Sequence, residues 1–67
     1  MRQQMLEALR SHAHAHIQKH RMNVEVFLNN PVGVGEHADI MDTIEKELNV
    51  IAEYMDQLEV LDKYFKE

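Results

Sequence analysis

Sixty-seven residues with no cysteine, two glycines, one proline and a net charge of −5 make one small domain, without disulfides or thiolate metal sites. A chain this short seldom closes a sufficient core alone, so a second chain or a metal held by other ligands is expected, and self-association is the commoner solution. No run approaches the roughly 20 apolar residues that span a bilayer, and the N-terminus lacks the apolar core of a signal peptide, so no membrane association and a cytoplasmic location are expected.

The first predicted element is a helix over 2–28. Leu6, Leu9, Ala13, His16, His20, Val24 and Phe27 recur at threes and fours, which places them on one face, with Met5 and Ile17 widening the stripe. Gln3, Arg10, His14, Gln18 and Arg21 should meet water. The only proline and both glycines then fall in the stretch from Asn29 to Glu36. Asn29 can adopt the left-handed conformation that ends a helix, and Pro31 cannot continue one. Val32 and Val34 are expected to plug the end of the structure. Glycine pairs can also cradle phosphate, but this segment follows no strand and matches neither phosphate-loop pattern.

A second helix is expected over 36–65. Its stripe is His37, Met41, Ile44, Leu48, Ile51, Met55, Leu58, Asp62 and Phe65, alternating steps of four and three. Acidic residues open it and Lys63 and Lys66 close it, which suits the helix dipole. The fold class is therefore all-α: one antiparallel helical hairpin occupying residues 1–67. Val50, Tyr54 and Leu61 carry apolar surface beyond what one partner helix can cover. Two hairpins packed as a homodimeric four-helix bundle would cover it, with Ile51, Tyr54, Leu58, Leu61 and Phe65 at the oligomer interface.

Charge is divided between the two halves. Residues 1–30 carry four basic side chains against two carboxylates, or +2, and residues 31–67 carry three lysines against ten carboxylates, or −7. Opposite signs favour pairing unlike helices.

Four of the five histidines lie between Ser11 and His20, two of them inside the apolar stripe. On a helix the pairs that converge are His12/His16 and His16/His20, each four apart. A hairpin folded about Gly33 sets residue i opposite roughly 65 − i, so His16 and His20 should face residues 44–49, with Glu47 the nearest carboxylate. The first reading is that these histidines pack in the seam or at a subunit boundary, each hydrogen-bonded to a carboxylate or to the facing chain. The second is a divalent transition metal held by His16, His20 and Glu47, completed across a dimer axis. No Glu-x-x-His pair is present, so the di-iron bundle pattern is missing. A third is pH sensing: buried neutral histidines would loosen the fold on acidification, whereas carboxylate-paired ones would do the reverse.

No catalytic set is visible. Ser11 and Thr43 have nothing to orient them as nucleophiles, so a non-enzymatic protein without a cofactor is expected. Nucleic-acid binding is disfavoured by the negative charge and the four aromatic residues, although the acidic helix is compatible with mimicry of nucleic acid.

The run Asn23-Val24-Glu25-Val26-Phe27-Leu28-Asn29-Asn30-Pro31-Val32-Gly33-Val34-Gly35-Glu36-His37, followed by Ile44-Glu45-Lys46-Glu47-Leu48 and Leu58-Glu59-Val60-Leu61-Asp62-Lys63-Tyr64-Phe65, resembles small uncharacterised proteins of marine T4-like cyanophages. The resemblance covers most of the chain past residue 15. It implies a viral origin and expression in a bacterial host cytoplasm, and it carries no activity or ligand. The function expected is a homo-oligomeric helical interaction module, a phage accessory protein that binds a host or virion protein. The alternative is a metal-binding bundle built on the histidines of the first helix.

Overall fold

The structure, a computed structural model, describes residues 1–29 and 37–66. It contains α1 (Arg2–Asn29) and α2 (His37–Tyr64), of 28 residues each, packed against each other, with no strand among the described residues. The expected plug by Val32 and Val34, the beginning of the second helix at Glu36 and the surroundings of the His37 side chain lie outside what is described. Helices of this length measure about 42 Å. The Cα atoms accordingly fill 51 × 15 × 13 Å, a rod one helix pair wide. Its radius of gyration is 15.4 Å, against about 11 Å for a compact chain of this length.

The helix ends are closed by local hydrogen bonds. Asn29 Nδ2 donates to the Glu25 carbonyl at 2.8 Å and to its carboxylate at 3.2 Å, satisfying one of the carbonyls that a helix C-terminus leaves open. Asp39 sits in the first turn of α2 and Lys63 in its last, where each complements the dipole. The Phe65 amide donates to the Leu61 carbonyl at 2.9 Å, one residue past the end of α2.

On α1 the seam runs through half-buried Leu6, His16, Ile17, His20, Val24 and Phe27, as the spacing predicts, and Asn23 joins them, whereas Leu9, expected in the stripe, lies exposed on its flank. Ala13 is the one buried residue among those described, and its small side chain lets the helices approach closely at that level. Arg10, expected in water, instead lies over the seam and pairs with Asp62 at 3.1 Å. An arginine's aliphatic stem can cover apolar surface while its guanidinium reaches a carboxylate.

On α2 the seam is rotated from the expected stripe. Ile44, Ile51 and Leu58 are shared by both, but the half-buried set continues through Ile40, Glu47, Tyr54 and Leu61. Met41, Leu48, Met55 and Phe65 are between 46% and 62% exposed. The two stripes overlap and compete. The one chosen brings Glu47 and Tyr54 to the polar groups of α1, and it spares Met41 and Met55 the larger loss of rotamer freedom that burying methionine entails.

Register also departs from the simple fold-back rule. His16 meets Tyr54, where a residue near 49 was expected, and His20 meets Glu47. The cause is the tilt of every Cα–Cβ bond toward its helix N-terminus. In an antiparallel pair the side chains of α1 lean away from the turn and those of α2 toward it. Partners therefore lie farther along α2 than a count from the turn suggests.

The hairpin encloses little. No large side chain among the described residues is fully buried. Its accessible surface is 5430 Å², against about 4,400 Å² for a compact monomer of this mass.

Candidate functional site

His12, His16 and His20 stand one turn apart on α1, so their rings rise along one side of the helix. The His12 and His16 ring centroids are 4.3 Å apart, and those of His16 and His20 are 6.0 Å apart with planes only 17° from parallel. Tyr54 of α2 completes the column. It stacks on His16 at 4.7 Å and 20°, and meets His12 edge-on at 5.7 Å and 67°. Both geometries are favourable for aromatic rings.

Below this column the polar seam closes on itself. His20 Nδ1–H donates to Glu47 Oε1 at 2.9 Å, and Asn23 Nδ2 donates to the same oxygen at 2.6 Å. The side chains of His20 and Glu47 are 15% and 17% exposed, so the bond is largely shielded from water. The two donors hold the Glu47 carboxyl below its usual range, the His20 bond contributing most. No buried side-chain nitrogen or oxygen among the described residues lacks a partner.

His16 has no such carboxylate. Burial lowers its pKa from the ordinary value of 6.5, and nearby His12, Lys19 and His20 lower it further, so its imidazole is held neutral. Of the two seam histidines, His20 has the carboxylate partner that the first reading expected, and half-buried His16 meets the Tyr54 ring of the facing helix.

The residues singled out from sequence are placed as follows. His20 and Glu47 are directly bonded, and His16 sits one turn above them in ring contact with His20. Glu47 engages Nδ1, so only the Nε2 edge of His20 is left for a metal, with Glu47 orienting the ring from behind. No group of three or more His, Cys, Asp or Glu that could hold a metal ion occurs among the described residues. Of the expected interface residues, Ile51 and Leu58 lie half-buried in the seam and Tyr54 stacks on His16. Leu61 lines a shallow groove with Leu9, Asp56, Gln57 and Val60, and Phe65 lies beyond α2 against Tyr64 at 6.3 Å. Thr43 donates its hydroxyl to the Asp39 carbonyl at 2.7 Å, a backbone contact within its own helix.

Asn23 and Tyr54 were not anticipated as partners of the histidines. Asn23 follows His20 by three residues and so shares its side of α1, a signal the sequence contains. Tyr54 becomes visible only once the rotated seam and the lean of the side chains are known.

The fold and site together define a two-helix hairpin with a polar, histidine-bearing seam. No protein-family model matches the chain, and neither a curated protein nor a solved structure matches it.

Proposed function

We propose that this chain is a non-enzymatic, self-associating helical module whose working form is a homodimeric four-helix bundle. The observation that carries the reading is the surface excess of about 1,000 Å² over a compact monomer. A standard protein interface takes about 800 Å² from each partner, so one further copy is enough to account for it. Sedimentation equilibrium across micromolar concentrations tests it, with twice the chain mass expected. A folded monomer throughout that range would overturn it. The cyanophage resemblance adds a setting, a phage accessory protein acting on a host or virion protein in a bacterial cytoplasm. Affinity capture from infected and uninfected lysates, with the partner then purified and bound directly, tests that part. No helix among the described residues is long and apolar enough to cross a membrane.

A second reading is a divalent transition metal on the histidines of α1. What favours it is the Glu47–His20 bond, the arrangement in which a carboxylate fixes a metal-binding imidazole. His16 and His20 would supply two ligands per chain, and a second copy the rest. Zinc at about 100 times its dissociation constant would stabilise such a site by about 2.7 kcal/mol. An unchanged melting midpoint with Zn²⁺, Ni²⁺ and Fe²⁺ removes this reading.

A further inference from the structure

The two flanks of the hairpin differ in chemistry, and printed contacts fix which residues belong to each. Arg10 and Asp62 meet across one flank, and His12, His16 and Tyr54 meet across the other. At 100° per residue, Met5 and Leu9 fall on the ring-bearing side of α1 and Leu61 on the same side of α2. Over the half of the rod away from the turn, this flank is made mainly of apolar, imidazole and phenol side chains, with Arg2 on the Leu9 side of α1 and Asp56 lining the Leu9–Leu61 groove as its charged members. Met5 and Leu9 on it are 59% and 53% exposed.

The opposite flank is also partly apolar, through Met41, Leu48 and Met55, but there Glu7, Glu59 and the Arg10–Asp62 pair stand among or beside them. Burying that flank would strip water from ionised groups at a cost their mutual attraction need not recover. Interface centres are depleted of charge and enriched in aromatic residues and methionine. The ring-bearing flank has the aromatic and methionine part of that composition in Tyr54 and Met5, whereas on the other flank the Arg10–Asp62 ion pair crosses between the two helices.

Charge also selects how two copies align. α1 holds four basic residues against two carboxylates, and α2 holds two lysines against eight carboxylates. A two-fold axis across the rod would lay α2 on α2, with like charges facing. An axis along the rod lays each α1 on the other copy's α2, with opposite charges facing and both turns at one end. Groups at one level then meet their own equivalents.

We propose that two copies of this chain pair through the flank bearing Met5, Leu9, His12, His16, Tyr54 and Leu61, with the two-fold axis parallel to the helices. This rests on the dimer reading above and gives it a face and an orientation. The ring columns of the two copies then lie side by side at mid-length, and the Leu9–Leu61 groove of each copy is closed by the other.

Two measurements test it. Leu9→Glu and His12→Glu change exposed positions on the proposed face, and Leu48→Glu changes an equally exposed position on the other. By sedimentation, the first two should raise the dimer dissociation constant at least about tenfold, and the third should leave it within about threefold of the parent. Spin labels on a Leu28→Cys variant, clear of the face, read the axis. Turns at one end place the two labels about 25 Å apart, and turns at opposite ends place them beyond about 40 Å. A dimer insensitive to Leu9→Glu and His12→Glu, or one dissociated by Leu48→Glu, overturns the face while the dimer stands. The longer label separation overturns the axis even if every glutamate-substituted chain fails to fold, since the Leu28→Cys variant carries none of those changes. A parent chain that never dimerises overturns the underlying reading instead.

Discussion

Removing the Glu47 carboxylate should be the most damaging single polar change in the seam. Glu47→Ala leaves the His20 Nδ1–H and Asn23 Nδ2 donors without the acceptor they share at 2.9 and 2.6 Å. Hydrogen bonds to a charged group contribute about 1.5–3 kcal/mol each when well shielded. His20 and Glu47 retain 15% and 17% exposure, so water can partly replace the lost acceptor. A combined loss of about 2 kcal/mol follows. That is a large share of the roughly 3–10 kcal/mol expected for a chain of this size. With about 2.1 cal/mol/K of unfolding entropy per residue, the midpoint should fall by about 14 °C. Glu47→Gln keeps one acceptor oxygen without the charge and should fall about half as far. Thermal denaturation by circular dichroism at pH 7.5 measures both. A Glu47→Ala midpoint within about 3 °C of the parent would sink the claim that this triad holds the seam.

Stability should also decline in acid, and the sign follows from both shifted groups. His16 has a lowered folded-state pKa, so its contribution is complete above the ordinary 6.5 and is lost as pH falls below that value. Glu47 is lowered as well, so its contribution is complete above 4.5 and lost below, in the same direction. Urea midpoints at pH 7.5 and 5.5 should therefore differ, and His16→Phe should flatten that interval; equal parental midpoints would contradict the neutral-imidazole reading. Arg10→Ala should cost under about 1 kcal/mol, because its partner Asp62 is 72% exposed; a larger loss would point to stem packing as the main term. Ala13→Leu should cost about 1–3 kcal/mol by overpacking a position that is fully buried between the helices, and an unchanged midpoint would mean that the seam at Ala13 has room.

The hairpin was legible because its signals are local. Two uninterrupted helical periods flank the only proline and glycines, and α2 ends at Tyr64, one residue before the expected Phe65. The rotation of α2 was not legible, because Met41–Leu48–Met55 and Ile40–Glu47–Tyr54 lie on either side of a shared Ile44–Ile51–Leu58 line. Counting apolar residues favours the first set. The structure takes the second because an internal Glu and Tyr answer the histidines and the asparagine across the seam. Pairwise complementarity of that kind cannot be seen by reading one helix at a time.

The same reasoning explains why polar residues occupy a seam that apolar ones would stabilise more. Isoleucine and leucine along α1 and α2 would pack against one another in several registers, each a full turn apart and nearly equal in energy. His20 and Asn23 find a shared acceptor only when Glu47 is opposite, and His16 finds a ring only when Tyr54 is. A slip of one turn, about 5.4 Å, would part all of these pairs at once. Buried or half-buried polar groups left without partners cost more than the bonds they make are worth, so the penalty falls on the wrong registers. Polar seam positions thereby fix register at a cost in stability, as a lone asparagine does in a coiled coil.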